Sequence, residues 1–270
     1  MVPSVTPSQV GAAYERAAKE NRAALVGYLP AGFPSKDGCI EALTAMVQSG
    51  VDVVEVGLPY SDPVLDGPVI QRAADQALAA GTRIADLLHT VQAVAATGAA
   101  TLVMTYWNPI LRYGVDRFAR DLAAAGGAGL ITPDLTPDSG PEWLAASDAQ
   151  HLDRVFLAAP STSDERLRLT ADACRGFVYA TAVMGVTGAR EQTSSLAPTL
   201  VARLREVTDL PIGVGLGVSN GDQAAEVGAF ADGVIVGSAF VRCLLDTDLS
   251  AGVSAAAALA ADLAAGVRRR

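Results

Sequence analysis

Two carboxylates, Glu55 and Asp66, stand where proton transfer is chemically reasonable. They share the stretch Val51 to Gln71. It starts as a strand: Val51–Val56 is β-branched and apolar apart from two acids. Gly57, Pro59, Pro63 and Gly67 then turn it into a loop. Alternation puts Val51, Val53 and Glu55 on one face, so a carboxylate sits among valines one step before the strand ends. An unpaired charge there is costly, so the group must be paired, neutralised or used. Asp66 follows on the loop, just before a helix can open at Pro68. A strand-end acid below a loop acid is an arrangement for general acid–base work. Each also has a plainer role open to it. Glu55 could be held by an arginine or by loop amides, and Asp66 could support the helix start after Gly67-Pro68.

The elements around them alternate. Residues 8–20 form a leading helix, and Ala23–Leu29 a buried strand. Ser35 caps a helix with Ile40, Leu43, Met46 and Val47 on one face, and Gly50 stops it. After the Val51 strand come helices over Pro68–Leu78 and around Ile84, Leu87, Leu88, Val91 and Val94. Further strands are expected at Ala100–Trp107, Gly129–Thr132, Arg154–Ala159, Phe177–Ala182, Ile212–Leu216 and Gly233–Val236. Helices fall at Val115–Ala125, Pro141–Ser147, Asp164–Cys174, Leu196–Leu204 and along the alanine-rich tail. Eight strands, apolar on both faces and alternating with helices, predict one domain over residues 1–270, a closed (β/α)8 TIM barrel. A doubly wound sheet lacks support, since no G-x-G-x-x-G follows the first strand.

In such a barrel the site lies at the carboxyl ends of the strands. Glu55, Asp66, Tyr106, Asn108, Asp134, Thr187 and Gly188 fall there, as do Gly215-Leu216-Gly217 and Gly237-Ser238. Glycines after strands seven and eight form a phosphate cradle in many barrels, because backbone N–H groups can approach phosphate oxygens. Tyr106, Tyr179 and Leu216 are candidates for an apolar pocket and equally for barrel filling.

Absences narrow the chemistry. The lysines are Lys19 and Lys36, neither at a strand end, which disfavours a Schiff base. The histidines, His89 and His151, fall on helix or connector segments, so neither a histidine metal site nor a Ser–His–Asp set is expected. A formal net charge of −9 argues against nucleic acid as the main partner. Cys39, Cys174 and Cys243 lie far apart with no CxxC, which suits a reducing cytoplasm. No signal peptide is expected at the N-terminus. The uncharged run 87–111 reads as a helix end, a Gly98 stop and a buried strand, not as a membrane span. What remains is carboxylate chemistry on a small, partly apolar, phosphate-bearing substrate.

The run from Glu55 through Asp66 to Pro68, EVGLPYSDPVLDGP, closely resembles the signature of the tryptophan synthase alpha chain family. So do Gly185-Val-Thr-Gly188, Gly215-Leu-Gly217-Val-Ser and Gly237-Ser238, in the same order over nearly the whole chain. The resemblance implies a (β/α)8 barrel and reversible retro-aldol cleavage of indole-3-glycerol phosphate to indole and glyceraldehyde 3-phosphate. It implies Glu55 as acid–base and Asp66 as the acceptor of the indole N–H, with Thr187 meeting Asp66 on lid closure. Gly188, Gly217, Gly237 and Ser238 match the phosphate site. Tyr28, Met104, Tyr106, Ile131, Tyr179 and Leu216 match the indole pocket. The implied partner is a beta chain carrying pyridoxal phosphate, in an alpha2-beta2 heterotetramer; this chain itself is expected to hold no cofactor or metal. Phe33 stands where many members have Asp, Leu216 replaces a common Phe, and Val183 and Met184 stand where some members carry Arg. Two related indole-pathway barrels are disfavoured: a synthase by the lack of strand-end lysines, an isomerase by the lack of a strand-end cysteine. A non-catalytic barrel that only activates a partner is disfavoured by the intact Glu55 and Asp66.

Overall fold

The computed structural model describes residues 8–181 and 190–269. Over these residues, parallel strands close into a barrel in sequential order. They are β1 (Ala24–Pro30), β2 (Val53–Gly57), β3 (Ala100–Met104), β4 (Gly129–Thr132), β5 (Asp153–Ala158), β6 (Val178–Thr181), β7 (Ile212–Gly215) and β8 (Gly233–Val236). The helices are α1 (Gln9–Lys19), α2 (Lys36–Gln48), α3 (Pro68–Ala79), α4 (Ile84–Ala95), α5 (Trp107–Tyr113) and α6 (Val115–Ala124). They continue with α7 (Pro141–Ala149), α8 (Asp164–Ala173), α9 (Arg190–Arg205), α10 (Gly221–Gly228), α11 (Ser238–Leu244) and α12 (Leu249–Gly266). Side-chain caps open several of them: Ser8, Ser35, Ser163, Asn220 and Asp248 each accept a backbone N–H from the first turn.

Strand alternation divides the apolar residues into two cores. Val26, Val53, Leu102, Ile131, Val155 and Ile235 fill the barrel interior. Leu25, Leu29, Val54, Val56, Val103 and Leu130 face the helix layer. The lower mouth is plugged by Tyr14 of α1. Its ring stacks on Phe177 at 5.3 Å, and its hydroxyl occupies the space that Gly213 and Gly233 leave by having no Cβ. Asp153 anchors this helix, accepting from Ser8 Oγ at 2.7 Å.

The structure corrects three expectations about the elements. Val51 does not share the inner face with Val53 and Glu55; it belongs to the outer core. Asp52 is the reason. Its carboxylate takes a two-pronged bond from Arg22 at 2.6 and 2.8 Å and accepts from Leu25 N–H at 2.8 Å, so the regular strand starts only at Val53. Strand three ends at Met104 rather than Trp107, and Trp107 opens α5. Pro109 fits there because the first turn of a helix needs no N–H from it. Strand six runs over Val178–Thr181, shorter at both ends than Phe177–Ala182; Ala182 lies outside the described residues. The uncharged run 87–111 divides as expected, with α4 ending at Ala95, Gly98 at positive φ and β3 beginning at Ala100. Among the described residues one helix, α12, is long and apolar enough to cross a membrane by length and composition. Its Gly252, Ala256, Ala260 and Leu263 are instead buried against the barrel's outer layer, where it meets α2, α10 and α11.

Candidate active site

Glu55 enters the barrel interior from the upper part of β2. In register it lies between Tyr28 on β1 and Leu102 on β3. It is 1% exposed, and its Oε1 has no hydrogen-bond partner among the described residues. No described arginine or loop amide holds that oxygen. Burial alone pushes the carboxyl up to about 8 from its usual 4.5. At pH 7 about a tenth of the population is ionised, so the resting group is chiefly a neutral acid.

Asp66 is held from the neighbouring strand end. Tyr106 Oη donates to Asp66 Oδ1 at 3.0 Å. The same hydroxyl accepts from Val64 N–H at 3.2 Å and Leu65 N–H at 3.1 Å. The loop is also fixed through Tyr60, whose ring lies 5.3 Å from that of Tyr106 and whose hydroxyl accepts from Asn108 Nδ2 at 3.2 Å. Asp66 does not cap α3: Gly67 is the cap residue, and no side chain bonds to the helix start. Partial burial raises the Asp66 carboxyl, and the Tyr106 hydrogen bond opposes that rise. The two acids thus have different surroundings, one buried with an oxygen that has no partner among the described residues, the other half-buried and bonded.

Both line one cavity of about 1010 Å³ at the carboxyl ends of the strands. Tyr28, Met104, Tyr179 and Leu216 give it apolar surface, and Gly217, Gly237 and Ser238 lie in the same wall. Gly217 has φ +73, a left-handed conformation that a side chain would strain. Ser238 opens α11, so its N–H and those that follow are free of intrahelical partners. Tyr106 reaches the site through Asp66 rather than as lining. Ile131 is fully buried in the inner core, in register with Met104, and is not part of the cavity wall. Thr187 and Gly188 lie outside the described residues. Asp134 accepts from Trp107 N–H at 2.9 and 3.1 Å and thereby caps α5.

A family model described as "Tryptophan synthase alpha chain" matches residues 14–267. The chain belongs to the tryptophan synthase alpha chain family. The tryptophan synthase alpha chain of Salinispora arenicola is 66% identical over 262 residues, 97% of this chain and 98% of the relative. That of Acidothermus cellulolyticus is 64% identical over 263 residues, 96% of this chain and 97% of the relative. A solved structure of Mycobacterium tuberculosis tryptophan synthase superposes with a TM-score of 0.90 at 55% identity, covering 97% of this chain and 99% of that one.

Among tryptophan synthase alpha chain departures, Phe33 is a fully buried residue of the outer core. It fills space where an Asp would have had to be solvated. Leu216 lines the cavity with a smaller apolar surface than Phe. Sequence reasoning missed Arg242, which also lines the cavity. The signal was present: Arg242 stands four residues after Ser238, one helical turn along the same face.

Proposed function

We propose that this chain cleaves indole-3-glycerol phosphate reversibly to indole and glyceraldehyde 3-phosphate, with Glu55 carrying the protons and Asp66 bonding the indole N–H. Family membership makes it a carbon–carbon lyase of tryptophan biosynthesis. The observation that carries the residue assignment is the buried Glu55 carboxyl in the cavity wall, whose Oε1 has no partner among the described residues and whose burial favours the neutral form.

The proton inventory balances on one group. Glu55, protonated at rest, gives its proton to indole C3, which makes the ring an electron sink. Asp66, ionised, accepts the ring N–H and stabilises the positive charge that develops there. Glu55, now a carboxylate in a dry site, takes the hydroxyl proton of the adjacent glycerol carbon. The carbon–carbon bond breaks, its electron pair restores the indole ring, and the aldehyde forms. Glu55 ends protonated as it began. The apolar walls from Tyr28, Met104, Tyr179 and Leu216 suit the indole ring, while the N–H groups around Gly217, Gly237 and Ser238 suit the phosphate.

The partner is a beta chain, in an alpha2-beta2 assembly. The loop that carries Asp66 exposes Val64 at 72% and Leu65 at 56%, and the adjoining α5 exposes Leu111 at 52%. Apolar side chains held out at the cavity mouth suit a partner surface. The test is incubation of the purified chain with indole-3-glycerol phosphate, alone and with a beta chain, following aldehyde and indole together. Failure to form either product under both conditions would refute the reading.

A further inference from the structure

We propose that Arg242 supplies the positive charge that binds the substrate phosphate, a role that rests on the reaction proposed above. The charged side chains among the described residues lining the cavity are Glu55, Asp66, Glu226 and Arg242. Arg242 is the one cation in that set. A phosphate dianion entering a cavity lined by the carboxyl groups of Asp66 and Glu226, with Glu55 chiefly neutral, on a chain of formal charge −9, meets a repulsive field. Neutral backbone amides orient phosphate oxygens but bring no net charge, and α11, at 7 residues, adds only a short stack of peptide dipoles.

The placement fits the task. Helical side chains lean toward the N-terminus, so Arg242 reaches back along α11 toward Gly237 and Ser238. Its Nη2 donates to Ser238 Oγ at 3.2 Å. Other arginines, such as Arg22, Arg154, Arg166 and Arg203, are engaged with carboxylates. Arg242 forms no ion pair among the described residues, and it is exposed to the cavity solvent. Its guanidinium has five donors, so it can keep the serine and still offer a fork to two phosphate oxygens.

The experiment compares the wild-type chain with Arg242→Gln and Arg242→Lys. Glycerol 3-phosphate binding is measured by calorimetry, indole binding by equilibrium dialysis, and cleavage by steady-state kinetics. Arg242→Gln should weaken glycerol 3-phosphate binding and raise KM by about tenfold or more, the worth of a charge-assisted hydrogen bond. Indole binding should stay within about twofold, kcat should move much less than KM, and Arg242→Lys, which keeps the charge but loses the fork, should recover part of the loss. Unchanged glycerol 3-phosphate binding in Arg242→Gln overturns the inference. So does an equal loss for indole and glycerol 3-phosphate, which would mean a distorted site. The titrations need no turnover. A wild-type chain that binds glycerol 3-phosphate through Arg242 yet cleaves nothing would contradict the proposed reaction and leave this inference standing.

Discussion

Replacing Glu55 by Gln keeps the shape of the side chain and removes its proton. Two separate measurements follow from the buried carboxyl. The first is turnover. A positioned acid–base group is worth roughly a hundredfold to ten-thousandfold, so single-turnover cleavage should fall by about a hundredfold or more. Substrate binding should stay nearly intact, since the phosphate and ring contacts are elsewhere. In the wild-type chain kcat/KM should fall about tenfold per pH unit above pH 8, because the reaction starts from the protonated form of Glu55, and should fall again in acid as Asp66 takes up its proton. The second measurement is stability. Below pH 4.5 the folded and unfolded chains both hold the proton, and the group's contribution is fully present. Between 4.5 and about 8 the unfolded chain loses that proton while the folded chain keeps it. Stability therefore falls by about 1.4 kcal/mol per pH unit, and levels off above the folded value. The total is roughly 5 kcal/mol across that window. Gln does not titrate, so the wild-type minus Glu55→Gln difference in urea unfolding should carry that slope with other groups cancelling. A difference that is flat from pH 5 to 8, or near-normal turnover in a folded Glu55→Gln, would refute the reasoning and return Glu55 to a structural role.

Asp66→Asn should also lose turnover by about a hundredfold, because an amide cannot stabilise a developing ring cation as a carboxylate does; circular dichroism should show an unchanged fold, since Asp66 caps no helix. Gly217→Asp should raise KM for indole-3-glycerol phosphate at least about tenfold, because it places a negative charge where phosphate binds. Gly217→Ala, which shares the strain at φ +73 without the charge, is the control, and equal KM values for the two would count against a phosphate at this position. A saturating beta chain should raise the rate of cleavage, by favouring the closed arrangement of the loop that carries Asp66; steady-state rates that do not respond to the partner would contradict this.

The barrel was legible because its strands are buried on both faces and its helices are bounded by capping serines and stopping glycines. Glu55 was legible too, as an acid at the end of an apolar strand. What the sequence hid was tertiary. Asp52 looks like Glu55 in sequence, a lone acid in a valine run. Only the fold reveals that Arg22 pairs with the first, while Oε1 of the second is left without a described partner. The α5 turn was read as the tail of β3, since its cap comes from Asp134 on another unit. Tyr106 read as ring lining, whereas its hydroxyl organises the Asp66 loop. Arg242 is hidden in the sequence because the glycine motif marks only backbone N–H groups, and its side chain returns to them from a turn away.

The barrel's closure also sets an order of events during synthesis. Ala24 of β1 pairs with Gly233 of β8, and Tyr14 needs the gaps at Gly213 and Gly233 before its ring can be seated. The first helix and first strand leave the ribosome long before either partner exists. At translation speeds of about 5–20 residues per second, that wait is roughly 10–40 s. During it, Leu25, Val26 and Tyr14 have neither their final neighbour strand nor their socket. The N-terminal segment is thus the part of the nascent chain with the longest exposure to chaperones and to mispairing. Its docking is a late, long-range step in which the first and last strands of the barrel complete one another.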